Sequence, residues 1–389
     1  MSKEKDRYLR AARDCLNRPN SDTKPKARRP AGPTRQPVIS VIIPTFNRSA
    51  VLASCLAALV NQSLDKSKYE VIVADDGSED STEQFCRGLS PDFQFCYCRQ
   101  MNSGAGAARN LGLSRARGRY LLFMNDDTVA SASLLEEHLR AQGSFPARKF
   151  AVLGDFVYPP LASRRALTYF LSKRPFLFPQ VGMNKGFYRS WAFFITCNLS
   201  IARQAVLEAG SFDSRFRIAE DTELGARLAS RGYEILYWPA ARAMHDHLNF
   251  QTDDIVRRAR SYGPATLLLF RKHPSLLGDG NGPLGRLDAA WKARTLNILK
   301  NSRRQVEEAL AAVRRLDDFD FSTLLRTKPA GATSADAIIS LLEKAITQVY
   351  WFYHLEAIVN GLDEAESRTM GMQGLTSASE KENRLRCPL

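Results

Sequence analysis

Tyr120-Leu-Leu-Phe-Met-Asn-Asp-Asp-Thr128 is a short apolar run that breaks into polar residues with no turn between them. A buried strand of a parallel sheet has this form, because both faces are covered and its side chains need not alternate. Two adjacent carboxylates, Asp126 and Asp127, then fall where such a strand ends, the edge at which open α/β sheets bind ligands. One reading makes them ligands of a divalent cation. The other makes them the approach to a helix, since Ser131, Ser133 and Leu134-Leu-Glu-Glu-His138 follow and serine caps helices well. The local residues leave the two readings level.

Working upstream, the same strand-then-polar pattern recurs. Val38-Ile-Ser-Val-Ile-Ile43 is rich in β-branched residues and is expected to stop at Pro44. Asn47, Arg48 and Ser49 lead into an amphipathic helix, Val51–Val60. Tyr69–Ala74 reads as a second strand closed by Asp75-Asp-Gly-Ser78, and a helix from Thr82 to Arg87 follows, with Ser81 as its cap. Phe93–Cys98 alternates as a third strand. Asn102-Ser-Gly-Ala-Gly-Ala-Ala-Arg-Asn-Leu-Gly112 is a glycine-rich turn running into a helix that reaches about Ala116. The spacing predicts β-α-β-α-β-α-β with right-handed crossovers and a parallel sheet. Gly104-Ala-Gly-Ala-Ala-Arg109 imitates a dinucleotide fingerprint, but arginine replaces its last glycine and it follows two βα units instead of opening the first.

Downstream the pattern changes. From Phe156 to Leu207 there is no acidic residue, while Arg164, Arg165, Lys173, Arg174, Lys185, Arg189 and Arg203 alternate with aromatics. Residues 156–195 are therefore expected to form a basic, aromatic flap facing an anionic partner such as a phosphorylated acceptor or a membrane surface, the alternative being a loop packed by its own rings. Thr196–Arg203 returns to strand, Thr222–Arg231 to helix, and Tyr233–Trp238 to a final strand, with Ala243-Met-His-Asp-His247 in a loop. Helices are expected over roughly 252–272, 285–316 and 335–361, the middle one projecting from the core.

The bulk numbers fit a folded chain of one large domain or two: 389 residues, 44% hydrophobic and 25% charged. Net charge is +14, and residues 1–37 hold eleven Lys/Arg against four Asp/Glu, so half of the excess lies in that leader. Seven cysteines with no metal-site spacing suggest reduced thiols. With no secretory signal and no run of about 20 apolar residues, a cytoplasmic protein is expected, with attachment to the inner face of the membrane as the variant.

From Val38 to about His247 the chain resembles the family 2 glycosyltransferases with the GT-A fold. Five motifs in order carry the resemblance: Val41-Ile-Ile-Pro-Thr-Phe-Asn47, Val73-Ala-Asp-Asp-Gly-Ser78, Ala107-Ala-Arg-Asn-Leu-Gly112, Asn125-Asp-Asp127 and Glu220-Asp221. It implies an α/β fold with a Rossmann-like, mostly parallel sheet over residues 37–250. A basic leader (1–36), a helical region (251–363) and a disordered tail (364–389) complete the expected organisation.

The resemblance also implies roles. Pro44, Thr45 and Asn47 would line the base and ribose of a sugar nucleotide, and Asp76 would accept the N3–H of uracil or thymine. Arg109 and Asn110 would meet the phosphates, with Asp126 on the donor. Asp127 would bind Mn2+ or Mg2+ with help from His245 or His247, and Asn125 stands where the family usually has Asp. Asp221, with Glu220 beside it at a helix start, would be the base that deprotonates the acceptor hydroxyl. The implied activity is inverting, metal-dependent transfer from a nucleoside-diphosphate sugar, UDP or dTDP favoured, to a saccharide or lipid-linked acceptor. No nucleic-acid partner is expected. The competing classes are a non-catalytic nucleotide-binding relative and a membrane or nucleic-acid adaptor.

Overall fold

The structure, a computed structural model, describes residues 36–158, 165–176, 180–245, 250–277, 287–318 and 335–383, with side chains as far as Glu364. The chain divides into two units, one holding Met1–Arg164 and Thr168–Asn249, the other Arg165–Leu167 and Phe250–Leu389.

The first unit is built on β1 (Ile39–Thr45), β2 (Tyr69–Asp75), β3 (Gln94–Arg99) and β4 (Tyr120–Met124), joined by helices α1 (Ser49–Val60), α2 (Thr82–Arg87) and α3 (Ala105–Arg115). These four strands run parallel in the order β3-β2-β1-β4. Both faces are covered, so β1 and β2 are apolar along almost their whole length. Helix α3 lies close on β1 at Gly112, where a Cβ would stand 2.5 Å from Ile42 Cγ2.

Past β4 the sheet changes direction. The chain continues through β5 (Thr128–Ala130), α4 (Leu134–Ser144), β6 (Phe150–Val157), α5 (Ala166–Lys173), β7 (Gly186–Tyr188), β8 (Asn198–Ala202), α6 (Arg203–Glu208), α7 (Glu220–Ala229) and β9 (Glu234–His245). Strand β8 pairs antiparallel with β4, and the order then runs β8-β6-β9-β5, with β7 also on β9. The α/β class is as the sequence implies, with a mixed second half.

Two strand ends differ from expectation. β1 continues through Pro44 to Thr45, because pairing with β4 stops at Ile42 and Phe123 and only the β2 side of the ladder goes on. β9 does not end at Trp238. It bulges at Pro239-Ala240-Ala241, so that Gly154 pairs with Trp238 and Asp155 with Arg242, and then resumes. A bulge accommodates a proline that a regular central strand would reject. The residues expected in a loop, Ala243 to His245, are therefore strand, set opposite Ala130 to Thr128 of β5.

In the expected anion-facing flap, three basic residues have partners within the protein. Arg189 pairs with Glu234 at 3.0 Å, Lys185 lies 3.3 Å over the Trp238 ring, and Arg165 pairs with Asp317. Phe187 packs edge-on against Phe145 and Phe150. Two of its basic residues thus meet carboxylates distant in sequence. Arg164 lies outside the described residues, as does all but Gln36 of the expected leader.

The second unit is helical: α8 (Thr252–Lys272), α9 (Ala289–Asp317) and α10 (Ala335–Asn383). Within this unit α9 is packed. It buries Trp291, Thr295, Leu299, Val306, Leu310 and Val313, a stripe at helical spacing, and packs on α10. α8 meets α10 closely at Gly263, where a Cβ would lie 2.5 Å from Ala357 Cβ. α10 runs on to Asn383, well past the expected end at 361 and through most of the expected tail, a stretch with no proline before Pro388. Among the described residues no helix is long and apolar enough to cross a membrane.

Candidate active site

The carboxylates of the opening stretch lie in the turn between β4 and β5, and both are buried. Thr45, at the end of β1, donates its hydroxyl to Asp126 Oδ2 at 2.8 Å. Arg48, just before α1, bridges the pair: Nη1 lies 2.6 Å from Asp126 Oδ1 and Nη2 lies 2.9 Å from Asp127 Oδ2. On the other side, His245 Nε2 is 3.2 Å from Asp127 Oδ1. The β5–β9 pairing brings it there, since Thr128 is registered opposite His245. Burial pushes the Asp126 carboxyl up to about 7, opposed by Arg48 and reinforced by the neighbouring Asp127 charge.

The second acidic pair opens α7. Asp221 Oδ2 accepts from the backbone N–H and hydroxyl of Thr196, each at 3.3 Å, and its Oδ1 accepts from the Thr222 N–H at 2.7 Å. Its neighbour Glu220 is buried, and Arg109 Nη1 lies 2.5 Å from Glu220 Oε1. Burial raises the Glu220 carboxyl, with Arg109 opposing and Asp221 adding to the rise.

Two bridges join the acidic pairs. Arg109 also donates to Asn125 Oδ1 at 3.2 Å, so one guanidinium touches both the β4 end and α7. Thr128 donates to the carbonyl of Cys197 at 3.4 Å, next to the Thr196 that holds Asp221. Asn125, where the family usually has Asp, thus has a defined partner: its amide oxygen faces the Arg109 fork.

Several residues implied as nucleotide contacts hold the scaffold. Asp76 Oδ1 accepts from Gln100 Nε2 at 2.7 Å and from the Ser103 N–H at 2.8 Å, and its Oδ2 accepts from the Gly104 N–H at 2.8 Å. It thereby shapes the glycine turn. Asn47, at φ 54°, accepts from the Glu79 N–H at 2.7 Å and links the loops after β1 and β2. Asn110 donates to the Phe212 carbonyl at 2.8 Å and accepts its N–H at 2.9 Å, so both ends of the amide serve backbone. Pro44 sits inside β1, Asp75 accepts from Tyr97 and Ser78, and His247 lies outside the described residues.

The donor set suits a hard divalent cation bound jointly with a phosphate ligand. Asp127, from the turn after β4, and His245, from the end of β9, converge, and Asp126 supplies a second carboxylate beside them. Among the described residues no three His, Cys, Asp or Glu side chains group closely enough to hold a metal alone. Mg2+ and Mn2+ commonly complete such sites with substrate phosphate oxygens and water. Arg48 carries no role in the sequence-based reading; its only signal is a basic residue in the polar turn after β1.

Residues 40–192 match the model of glycosyl transferase family 2, and residues 120–293 match that of glycosyl transferase family group 2. Among curated relatives, a glycosyltransferase of Bacillus subtilis, YfnE, is 30% identical over 50% of this chain and 60% of its own. A validoxylamine A glucosyltransferase of Streptomyces hygroscopicus is 28% identical over 69% of this chain and 64% of its own. The chain thus spans somewhat less than two thirds of the length of these relatives. A mannosyltransferase of Pyrobaculum calidifontis, solved in complex with GDP-Man and Mn2+, superposes with a TM-score of 0.53 at 19% identity, covering 93% of this chain and 95% of that one. That likeness gives the GT-A fold to the chain. Two overlapping family matches that together span residues 40–293, laid over a fold with one acidic pair after β4 and the other at the start of α7, place this chain in glycosyltransferase family 2.

Proposed function

We propose that the chain transfers a sugar from a nucleoside-diphosphate donor to an acceptor hydroxyl in one inverting step, with a divalent cation on the diphosphate. The observation that carries this reading is the pairing of two acidic stations through Arg109 and through the Thr128–Cys197 contact. One station suits a cation and diphosphate; the other suits a proton.

Asp127 and His245 would hold Mn2+ or Mg2+, with Asp126 close by. Bound there, the cation offsets the charge that gathers on the departing nucleoside diphosphate. Asp221 takes the acceptor proton as the acceptor oxygen bonds to the anomeric carbon. The bond from that carbon to the diphosphate oxygen breaks, and its electron pair leaves with the diphosphate. Attack opposite the leaving group inverts the anomeric centre. Asp221 suits a base because it stands in the first turn of α7, where the helix dipole favours a negative charge. Glu220, buried on Arg109, positions that turn.

UDP or dTDP remains the favoured donor, although Asp76 already accepts three donors. A carboxylate offers about four acceptor positions, so one is left for a base N–H. A mannosyltransferase of the same fold was solved with GDP-Man, so a guanine donor belongs in the test. The acceptor is proposed to be a saccharide or a lipid-linked saccharide.

Thermal-shift titration with UDP, dTDP and GDP, each with and without Mn2+ or Mg2+, tests the reading. One nucleotide should stabilise the protein only with metal, and Asp127→Ala should abolish that dependence. Stabilisation by nucleotide that ignores metal in the wild type would sink the metal-dependent scheme.

A further inference from the structure

Arg48 contacts both carboxylates of the acidic pair after β4. Its fork does not grip one carboxylate; it is split over two, at 2.6 Å to Asp126 and 2.9 Å to Asp127. The partners differ in burial. The Asp126 and Asp127 side chains are 5% and 9% exposed, while that of Arg48 is 43% exposed. The carboxylates are fixed from below by Thr45 and His245. The guanidinium approaches from the solvent side and is the part that can leave.

We propose that Arg48 is a resident counter-cation, which holds the acidic pair together before nucleotide arrives, yields the pair to the incoming divalent cation and turns to the diphosphate. The proposal rests on the metal-and-donor reading above and names a residue that reading does not use.

Three features support it. First, once ionised the pair carries two negative charges, and one guanidinium balances only half of them, so a divalent cation is then the better match. Second, a cation held by Asp127 and His245 would stand within a few ångströms of the guanidinium, and like charges at that range repel. Third, the Arg48 backbone is anchored: its carbonyl accepts N–H groups from the first turn of α1, Val51 at 3.1 Å and Leu52 at 3.0 Å. Only the long side chain has to rotate. A guanidinium displaced there remains beside the diphosphate, whose oxygens its planar fork fits.

Isothermal titration of wild type, R48Q and R48K with Mn2+ alone, then with UDP in saturating Mn2+, decides the matter at a pH where the pair is ionised. If UDP gives no signal, the same titration is run with whichever of dTDP and GDP binds. Charge-assisted contacts of this kind correspond to about a tenfold effect or more. R48Q should therefore bind Mn2+ alone about tenfold tighter, and should bind the nucleotide with Mn2+ more weakly than wild type. Lysine keeps the charge but cannot span both carboxylates, so R48K should tighten Mn2+ by a smaller factor, and it stands in if R48Q fails to fold. Mn2+ binding that is unchanged or weaker in the folded variants would overturn the proposal and make Arg48 a fixed brace. Wild-type protein in which Mn2+ does nothing for any nucleotide would remove the metal reading itself, and this proposal with it.

Discussion

Arg109 and Glu220 form a buried ion pair, Nη1 2.5 Å from Oε1, that ties the helix after the glycine turn to the helix bearing Asp221. The same guanidinium donates to Asn125 and lies 5.8 Å over the Phe212 ring. Phe212 is in turn clasped by Asn110. Conserving the net charge of this knot matters more than either residue alone, because a buried charge without its partner has no solvent to turn to.

Removing one partner should cost far more than removing both. Glu220→Ala strands the Arg109 guanidinium and is expected to destabilise the fold by about 3–5 kcal/mol. The double change Arg109→Met with Glu220→Leu should recover a large part of that loss. Urea unfolding of wild type, the two single variants and the double variant measures the coupling. Additive losses would mean that the pair contributes nothing as a pair.

Asp76 gives a different expectation. Its oxygens take N–H groups from Ser103 and Gly104 and the amide of Gln100, so Asp76→Asn turns an NH2 group toward donors. The expected cost is about 1–3 kcal/mol. Amide exchange at Ser103 and Gly104 should accelerate even with no nucleotide present. Protection that is unchanged at those two amides would leave Asp76 with ligand contact as its only role.

The parallel half of the sheet was legible because three of its strands are largely apolar runs closed by polar residues and the fourth, β3, alternates. The rest was less so. Pro239 reads as the end of a strand, and only the three-dimensional bulge lets β9 resume and carry His245 to Asp127. Strand β5 has three residues, too few to leave a pattern. Arg48 finds its partners 78 and 79 positions away, and no local spacing announces them. The acidic motifs were found at the strand and helix ends where they stand. Which of their neighbours are scaffold, such as Asn47, Asn110 and Asp76, depended on backbone partners distant in sequence.

His138 on α4 should make the fold acid-sensitive. Its Nε2 lies 2.8 Å from Asn198 Oδ1 and its Nδ1 lies 3.0 Å from Ser200 Oγ. Asn198 Oδ1 is an acceptor, so Nε2 carries the proton and Nδ1 accepts from the serine. Burial lowers the imidazole to about 4, with the Asn198 contact opposing. The unfolded chain, near 6.5, takes up a proton that the folded protein refuses. Stability is therefore full above the unfolded value and falls as pH drops from about 6.5 toward 4, by up to ~1.4 kcal/mol per pH unit. His138→Gln should lower stability at neutral pH and flatten the profile across that window. Unfolding free energies at several pH values check both, and an unchanged slope in the variant would assign the acid sensitivity elsewhere.

Asp221 carries the last expectation, and it separates binding from chemistry. Its carboxylate is held by Thr196 and Thr222 and touches neither Asp126 nor Asp127 in any contact described above. Asp221→Asn keeps the shape and, through its one amide oxygen, the contacts from Thr196; its NH2 then faces the Thr222 N–H, and it cannot take a proton. Turnover of the donor sugar should fall by about 10²–10⁴, the range ordinary for loss of a general base. Metal-dependent nucleotide binding should stay within a few-fold of wild type, because the diphosphate station is elsewhere. Thr196→Val should show a smaller loss with a shifted pH–rate profile, since the hydroxyl only orients the base. Full turnover in Asp221→Asn would return the base assignment to Glu220, although that carboxylate is buried and already engaged by Arg109.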